Sequence, residues 1–356
     1  MDHDRLRTHI RALVELPENR SPIVSTYVDL TRRLESELEL TERSRVIQRT
    51  LDEPNSQDFM TAFGRIEGYL ANLKNPRAEG VAIFARDGDE PFFLAFEFEV
   101  AFPTELSVDT VPNIYRLMEL KDNYDRYVVM ISGERDARIL EVSLGSVTRQ
   151  LWTERPELRE RVGREWTKQH YQNHRENRTD QFIKEKIRIL DELVNARGHT
   201  HLILAGHPTM TARVQKELPR HLLEKVVDLI PVSTRAKARD VVRATLASFV
   251  ETEEKQSLEY AKLLEAELLS SSGLAVAGVP ATREALENGQ ADVVIIGPAS
   301  DSPPEIREQR EELARLAERT GAQFEVVADG RALRRMGGVG CLLRFQTQHQ
   351  PAPELV

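Results

Sequence analysis

Three consecutive α/β modules are the fold class this sequence predicts, on three observations. Apolar residues recur at helical 3–4 spacing and at strand alternation, in segments that follow one another along the chain. The 356 residues exceed what one hydrophobic core usually organises. Prolines and an acidic run break the pattern at two places, which sets modules at 1–121, 122–254 and 255–346 and leaves 347–356 as a tail expected to be disordered.

The first module opens with an amphipathic helix that places Leu6, Ile10, Leu13 and Val14 on one face. Pro22 to Leu30, rich in Val, Ile, Thr and Tyr, reads as a strand, and charged helical sequence runs from Arg32 to Leu51. After Pro54 a second helix, Asp58 to Leu73, turns Phe59, Phe63, Ile66, Tyr69 and Leu70 inward. Gly80 to Ala85 is a short apolar strand, and Phe92, Leu94, Phe96, Phe98 and Val100 alternate as in a half-buried one. Pro103 and Val111-Pro112 mark the exit.

The second module begins with a predicted meander of three strands, Tyr127 to Ile131, Ala137 to Val142 and Val147 to Trp152. A polar connection, 153–178, follows and is read as a basic tip loop; connections of that length are usually functional or mobile. Phe182, Ile183, Ile187, Leu190, Leu193 and Val194 then mark a helix that stops near Gly198. His201 to Ala205 is a strand, Thr209 to Leu218 a helix, and Val226 to Val232 a strand. Ser233-Thr234 is expected to cap a long helical run, Ala236–Glu251 and Leu258–Leu269, interrupted by a hinge at Glu251–Glu254. The third module alternates helix Thr282–Glu287, strand Val293–Ile296, helix Glu305–Thr320 and strands Phe324–Val327 and Val339–Phe345.

Composition excludes several classes of function. No apolar run approaches the roughly 18 residues of a membrane span, and Met1 to Arg7 lack the apolar core of a secretory signal, so a cytoplasmic protein is expected. A single cysteine, Cys341, excludes an internal disulfide and any multi-cysteine zinc or iron–sulfur site, and it reads as a small buried hydrophobe. The net charge of −9 argues against generic nucleic-acid coating, but it is unevenly spread. Arg159 to Arg188 hold nine Lys/Arg against five acids, whereas Glu251 to Ser300 hold three bases against nine acids. The basic stretch is the candidate RNA contact.

Several segments carry a resemblance. Ala281-Thr282-Arg283-Glu284-Ala285-Leu286-Glu287-Asn288-Gly289 leading to Asp292-Val293-Val294-Ile295-Ile296, and Gly337-Gly338-Val339-Gly340-Cys341-Leu342-Leu343-Arg344-Phe345, resemble the C-terminal domain of archaeal and eukaryotic peptide-chain release factors and Pelota. Ile66-Glu67-Gly68-Tyr69-Leu70 with Gly80-Val81-Ala82-Ile83-Phe84, and Asp136-Ala137-Arg138-Ile139-Leu140-Glu141, are similar to the family's earlier segments. The resemblance covers about residues 6 to 345. Within that superfamily, Trp166, Tyr171, Gln172 and His174 match the tip motif of a bacterial branch that includes the Balon-like ribosome-hibernation factors. Arg164 and Glu165 stand where the motif has two glycines, and Lys168 where it has glutamine; Gln169 is one place out of register.

Around that motif, Arg161, Arg164, Lys168, Arg175 and Arg178 alternate with Trp166 and Tyr171. Guanidinium and ammonium groups bind phosphates, and flat rings stack on unpaired bases for roughly 1–3 kcal/mol each. With Gln169, Gln172 and His174 these form the candidate RNA-binding set. His170 and His174 read as polar loop histidines, and His199 and His201 as partly exposed strand residues; no metal site and no cofactor are expected. No Ser/His/Asp or Cys/His arrangement and no singular carboxylate pair stands out, so no catalytic residue is assigned.

The resemblance implies a ribosome-binding translation factor that occupies the tRNA (A) site in hibernation or stalled-ribosome surveillance. The first module would face the decoding centre, the second would reach toward the peptidyl-transferase centre, and the third would contact a translational GTPase such as elongation factor Tu. A monomer with no membrane contact is expected. Release chemistry needs tip glycines that adopt positive φ and approach RNA closely, which Arg164 and Glu165 oppose. The alternative is a peptidyl-tRNA hydrolase or tRNA-cleaving rescue enzyme that uses Gln169 or Lys168.

Overall fold

The computed structural model describes residues 1–88, 90–134, 136–154, 168–270, 272–298 and 304–346. It is a mixed α/β chain with three sheets, and it divides into two compact units: residues 1–124 together with 253–356, and residues 125–252. The expected tail lies outside the described residues.

The N-terminal part of the first unit starts with α1 (His3–Val14), whose cap Asp2 accepts a hydrogen bond from the Arg5 N–H at 2.8 Å. β1 (Ile23–Asp29), α2 (Arg33–Gln48), α3 (Asn55–Asn72), β2 (Gly80–Arg86), β3 (Phe92–Phe98), β4 (Glu105–Asp109) and α4 (Tyr115–Asn123) follow. The four strands pair antiparallel in the order β3-β2-β1-β4. One face packs Val24, Val28, Val81 and Ile83 against Leu40 of α2 and Phe59, Phe63 and Ile66 of α3. Across the other face Tyr27, Phe84, Phe96, Phe98 and Phe102 meet edge to face, the arrangement ring quadrupoles favour. The sequence pattern missed β4 and α4: it read residues 103–121 as the way out of the module.

The second unit contains β5 (Tyr127–Ser132), β6 (Asp136–Ser143), β7 (Ser146–Glu154), α5 (Lys168–Arg197), β8 (His201–Gly206), α6 (Pro208–Glu217), α7 (Arg220–Leu223), β9 (Val226–Pro231) and the first part of α8 (Ala238–Leu269). Its sheet runs β7-β6-β5-β8-β9; β5, β8 and β9 are parallel, and β6 and β7 complete the antiparallel meander. Strand alternation sorts the core into two layers. Val128, Met130, Leu202 and Leu204 face α5 and α6, while Tyr127, Val129, Ile131, Ile203 and Ala205 face Val241, Val242 and Phe249 of α8. Gly206 closes β8 at φ +132, where a Cβ would lie 2.3 Å from the Ser132 carbonyl oxygen.

Two expectations about α8 are corrected. The acidic run Glu251–Glu254 does not interrupt it, because no glycine or proline occurs from Ala238 to Leu269 and Glu, Lys, Ala and Leu all favour helix. Ser233 and Thr234 do not cap it. The buried Arg138 guanidinium donates to the carbonyls of Thr234 (3.1 Å) and Ala236, and Ser233 Oγ accepts from the Arg235 N–H at 3.3 Å, so the helix begins only at Ala238.

The C-terminal part of the first unit adds β10 (Ala275–Ala277), α9 (Val279–Glu287), β11 (Ala291–Ile296), α10 (Pro304–Thr320), β12 (Gln323–Val326) and β13 (Val339–Leu343), in sheet order β10-β13-β11-β12. β11 and β12 are parallel and the other pairs antiparallel. Leu264 and Leu268 of α8 pack on Val293, Ile295 and Val327. Cys341 is fully buried in β13.

This sheet and the N-terminal sheet belong to one unit, and α4 joins them. The N–H groups of Ile114 and Tyr115, unpaired at a helix start, donate to the two carboxylate oxygens of Glu311 on α10 at 2.6 and 3.0 Å. Arg310 lies over the Tyr115 ring at 4.9 Å and donates to the carbonyls of Gly297 and Pro298. Glu318 pairs with both Lys121 (3.2 Å) and Arg11 (3.3 Å), and Asp122 accepts from the Val326 N–H at 2.7 Å.

Burial pushes the Glu311 carboxyl up to about 7, although its two backbone donors and Arg315 pull the other way. The unfolded chain releases this proton near 4.5 and the folded chain holds it to about 7. The folded state therefore binds more protons in that window, and the stability Glu311 contributes is full below 4.5 and lost as pH rises to 7. Glu311→Gln removes the ionisation. The stability advantage of wild type over this variant should shrink between pH 4.5 and 7 by at most about 3 kcal/mol, read from urea titrations at several pH values. A constant difference would refute this account of the contact.

Candidate nucleic-acid interface

The candidate residues converge on the front of α5. Lys168, Gln169, Tyr171, Gln172, His174, Arg175 and Arg178 occupy its first three turns; Arg161, Arg164 and Trp166 lie outside the described residues. This corrects the expectation of a loop across 153–178: β7 extends to Glu154, and the chain is helical from Lys168. From Lys168 to Arg178 there is no glycine or proline, and the Lys, Gln, Glu and Arg content supports helix without any apolar stripe to announce it. His170 and His174 are accordingly helical rather than loop residues.

Two sets of contacts fix the rear of the same helix. Ile183, Ile187, Leu190, Leu193 and Val194 are buried against the sheet, and Lys186, itself 3% exposed, places its ammonium 5.1 Å from the Phe182 ring centroid. Asp180 pairs with Arg213 of α6 at 2.8 Å. A charged, polar front of about three turns is thus rigidly continued by an apolar, buried rear.

The C-terminal end of α5 is clamped by a group that sequence reasoning missed. Glu141 of β6 is 2% exposed, and its Oε1 lies 2.9 Å from His199 Nε2 and 3.5 Å from Arg197 Nε. Gly198 supplies the positive φ (+67) that turns the chain, and Lys225 donates to the His199 carbonyl at 2.6 Å. Glu141 Oε2 and His199 Nδ1 have no hydrogen-bond partner among the described residues. His199 and His201, expected to be partly exposed, are both buried, because β8 lies between β5 and β9 and carries His201 inside. The sequence signal was weak: an acid on a strand among apolar neighbours, whose partners His199 and Arg197 lie more than 50 residues away.

His207 caps α6, its Nδ1 accepting from the Thr209 N–H at 3.4 Å. Among the described residues, no group of three or more His, Cys, Asp or Glu is placed to hold a metal ion, and no helix is long and apolar enough to cross a membrane. Glu141→Gln leaves an amide against His199 and Arg197 in a buried site and should destabilise the second unit by about 1–3 kcal/mol. Urea denaturation followed by the fluorescence of Trp152 or Trp166 measures this; a change within a few tenths of a kcal/mol would show that the clamp is dispensable.

Comparison with known proteins bears out the superfamily resemblance. Residues 112–249 match the family described as Bacterial archaeo-eukaryotic release factor family 10. A protein pelota homolog of Ignicoccus hospitalis is 27% identical over 177 residues, which is 48% of this chain; the chain spans about half (51%) of that relative's length. Among solved structures, archaeal translation termination factor aRF1 aligns with TM-score 0.30 and 18% identity over 97% of this chain and 99% of its own. Dom34 of S. cerevisiae, a translation termination-like factor, aligns with TM-score 0.45 and 13% identity over 76% and 80%. Archaeal Pelota, in a model of its ribosome-bound form with ABCE1, aligns with TM-score 0.45 and 15% identity over 97% and 95%.

Proposed function

We propose, from the placement of residues 112–249 among the bacterial archaeo-eukaryotic release factors, that this chain is a ribosome-binding translation factor of the cytoplasm. In this reading it occupies the tRNA (A) site during hibernation or stalled-ribosome surveillance and does not release the nascent peptide. The observation that carries the reading is the match of residues 112–249 to that family together with the basic, aromatic-bearing segment that opens α5.

The chemistry follows from the residue types. Arg161, Arg164, Lys168, Arg175 and Arg178 neutralise phosphates, and Trp166 and Tyr171 offer faces for unpaired bases. The buried rear of α5 supplies a fixed base for the charged front, which lowers the conformational entropy lost on binding. By family analogy the N-terminal module meets the decoding centre, and the C-terminal module meets a translational GTPase such as elongation factor Tu. The two tip glycines are Arg164 and Glu165 here, and Lys168, which only donates hydrogen bonds, stands in the glutamine position. Displacement of a positioning group by about 1 Å can lower a rate on the order of 100-fold, which argues for occupancy over hydrolysis.

Cosedimentation with vacant and translating ribosomes tests binding. Neutralising Arg161, Arg164, Lys168 and Arg175 together should weaken it and flatten the log–log salt dependence, by about 0.7 for each single-strand phosphate that is no longer neutralised. Unchanged affinity and slope would reject the segment as an RNA contact. Single-turnover release assays on wild type should give the background rate of peptidyl-tRNA hydrolysis. Release well above background that Gln169→Ala abolishes would instead establish the enzyme reading.

A further inference from the structure

The outer face of α2 has exposed apolar residues that nothing among the described residues covers: Leu34, Leu38 and Val46 are 78%, 67% and 62% exposed. Beside Leu34 and Leu38, α2 and α3 enclose a groove of about 210 Å³ whose floor is Leu40, Phe63 and Leu70. Along α3, Gly64 and Gly68 lie exposed in mid-helix, with nothing within 4 Å of where a Cβ would stand. Glycine inside a helix lowers its stability relative to alanine, and no contact among the described residues explains either glycine. Each follows a groove-lining residue, Phe63 or Glu67, in sequence, and smooth backbone there permits a second helix to approach closely.

Charge identifies the occupant. Residues 33–42 carry one base and four acids, a net of −3; residues 43–49 carry three bases and no acid, a net of +3. Such a polarity also suits the dipole of an isolated helix, but that would leave Leu34 and Leu38 unexplained. Two copies of α2 laid antiparallel across a two-fold axis bring each acidic half against a basic half. RNA is disfavoured by the net charge, because α2 with its flanking Arg49 sums to zero. A stable dimer buries about 800 Å² per partner, more than one helix stripe offers, so the contact has to take in the groove and the exposed Gly64 and Gly68 of α3 as well.

We propose that this face is a homodimerisation surface: α2 of a second copy lies antiparallel in the α2–α3 groove, where it covers Leu34 and Leu38 and passes close to Gly64 and Gly68. This replaces the monomer expected from the sequence, and it does not depend on the ribosome reading.

Sedimentation of the full chain over a concentration series should show a monomer–dimer equilibrium that weakens with salt. Leu34→Glu with Leu38→Glu should leave a monomer that melts as wild type does at concentrations too low for the dimer, since both residues are exposed in the single copy. Arg45→Glu with Arg49→Glu makes both halves acidic, and Glu35→Arg with Glu42→Arg makes both basic; each variant alone should lose the dimer, and an equimolar mixture should regain it. Gly64→Ala with Gly68→Ala should raise the melting temperature while weakening the dimer. A single monomeric mass for wild type throughout the series overturns the proposal. So does a dimer that the leucine variant leaves intact, or a charge-variant mixture that stays monomeric.

Discussion

A half-buried carboxylate at the start of a helix holds the first unit together. The N–H groups that open α4 have no acceptor in their own segment, and Glu311, nearly 200 residues further along the chain, receives two of them. Without that acceptor, burial of Ile114 and Tyr115 would leave bare donors in a low-dielectric site, which costs about 1–3 kcal/mol each. The surrounding contacts depend on this one for register. Arg310 on the Tyr115 ring, Asp122 on the Val326 amide and Glu318 between Lys121 and Arg11 all require α4 to sit where Glu311 fixes its first turn.

The second unit uses the same device at the opposite end of a helix. Glu141 collects Arg197 and His199 where α5 finishes, and the Arg197 guanidinium lies at the negative end of the helix dipole. The acids in both cases come from an element distant in sequence, and each fixes a helix that carries more than its own packing. For α5 the passenger is the basic front that begins at Lys168.

How much of this could be read from the sequence depended on whether the signal was periodic. The rear of α5 was legible from Phe182 to Val194 because apolar spacing encodes one buried face; its front was not, because a helix of Lys, Gln, Asn and Arg has no stripe to count. Strand β4 was missed as a five-residue edge strand after Pro103, and α4 because Arg116, Glu119, Lys121 and Asp122 obscured the short apolar run of Leu117, Met118 and Leu120. The superfamily was legible from ordered short segments. The roles of Glu311 and Glu141 were not, since each is one of 58 acids until the fold aims it. The burial of His199 and His201 likewise follows from where β8 falls in the sheet, which alternation alone does not fix.

The first unit is discontinuous, since residues 125–252 form a compact unit of their own between its two halves. That order has a consequence for the chain while it is being made. The N-terminal sheet and α4 leave the ribosome first, yet the carboxylate that receives α4 lies 197 residues downstream of Ile114. At about 5–20 residues per second, α4 waits on the order of 10–40 s, and α1 longer, before α10 exists to cover them. During that interval α4, which packs on α10 in the finished protein, lacks the neighbours that α10 will provide. The inserted unit, compact within its own 125–252, is complete well before then. Synthesis therefore runs through a stage with a finished middle and an open first unit, and α10 is the element whose arrival closes it.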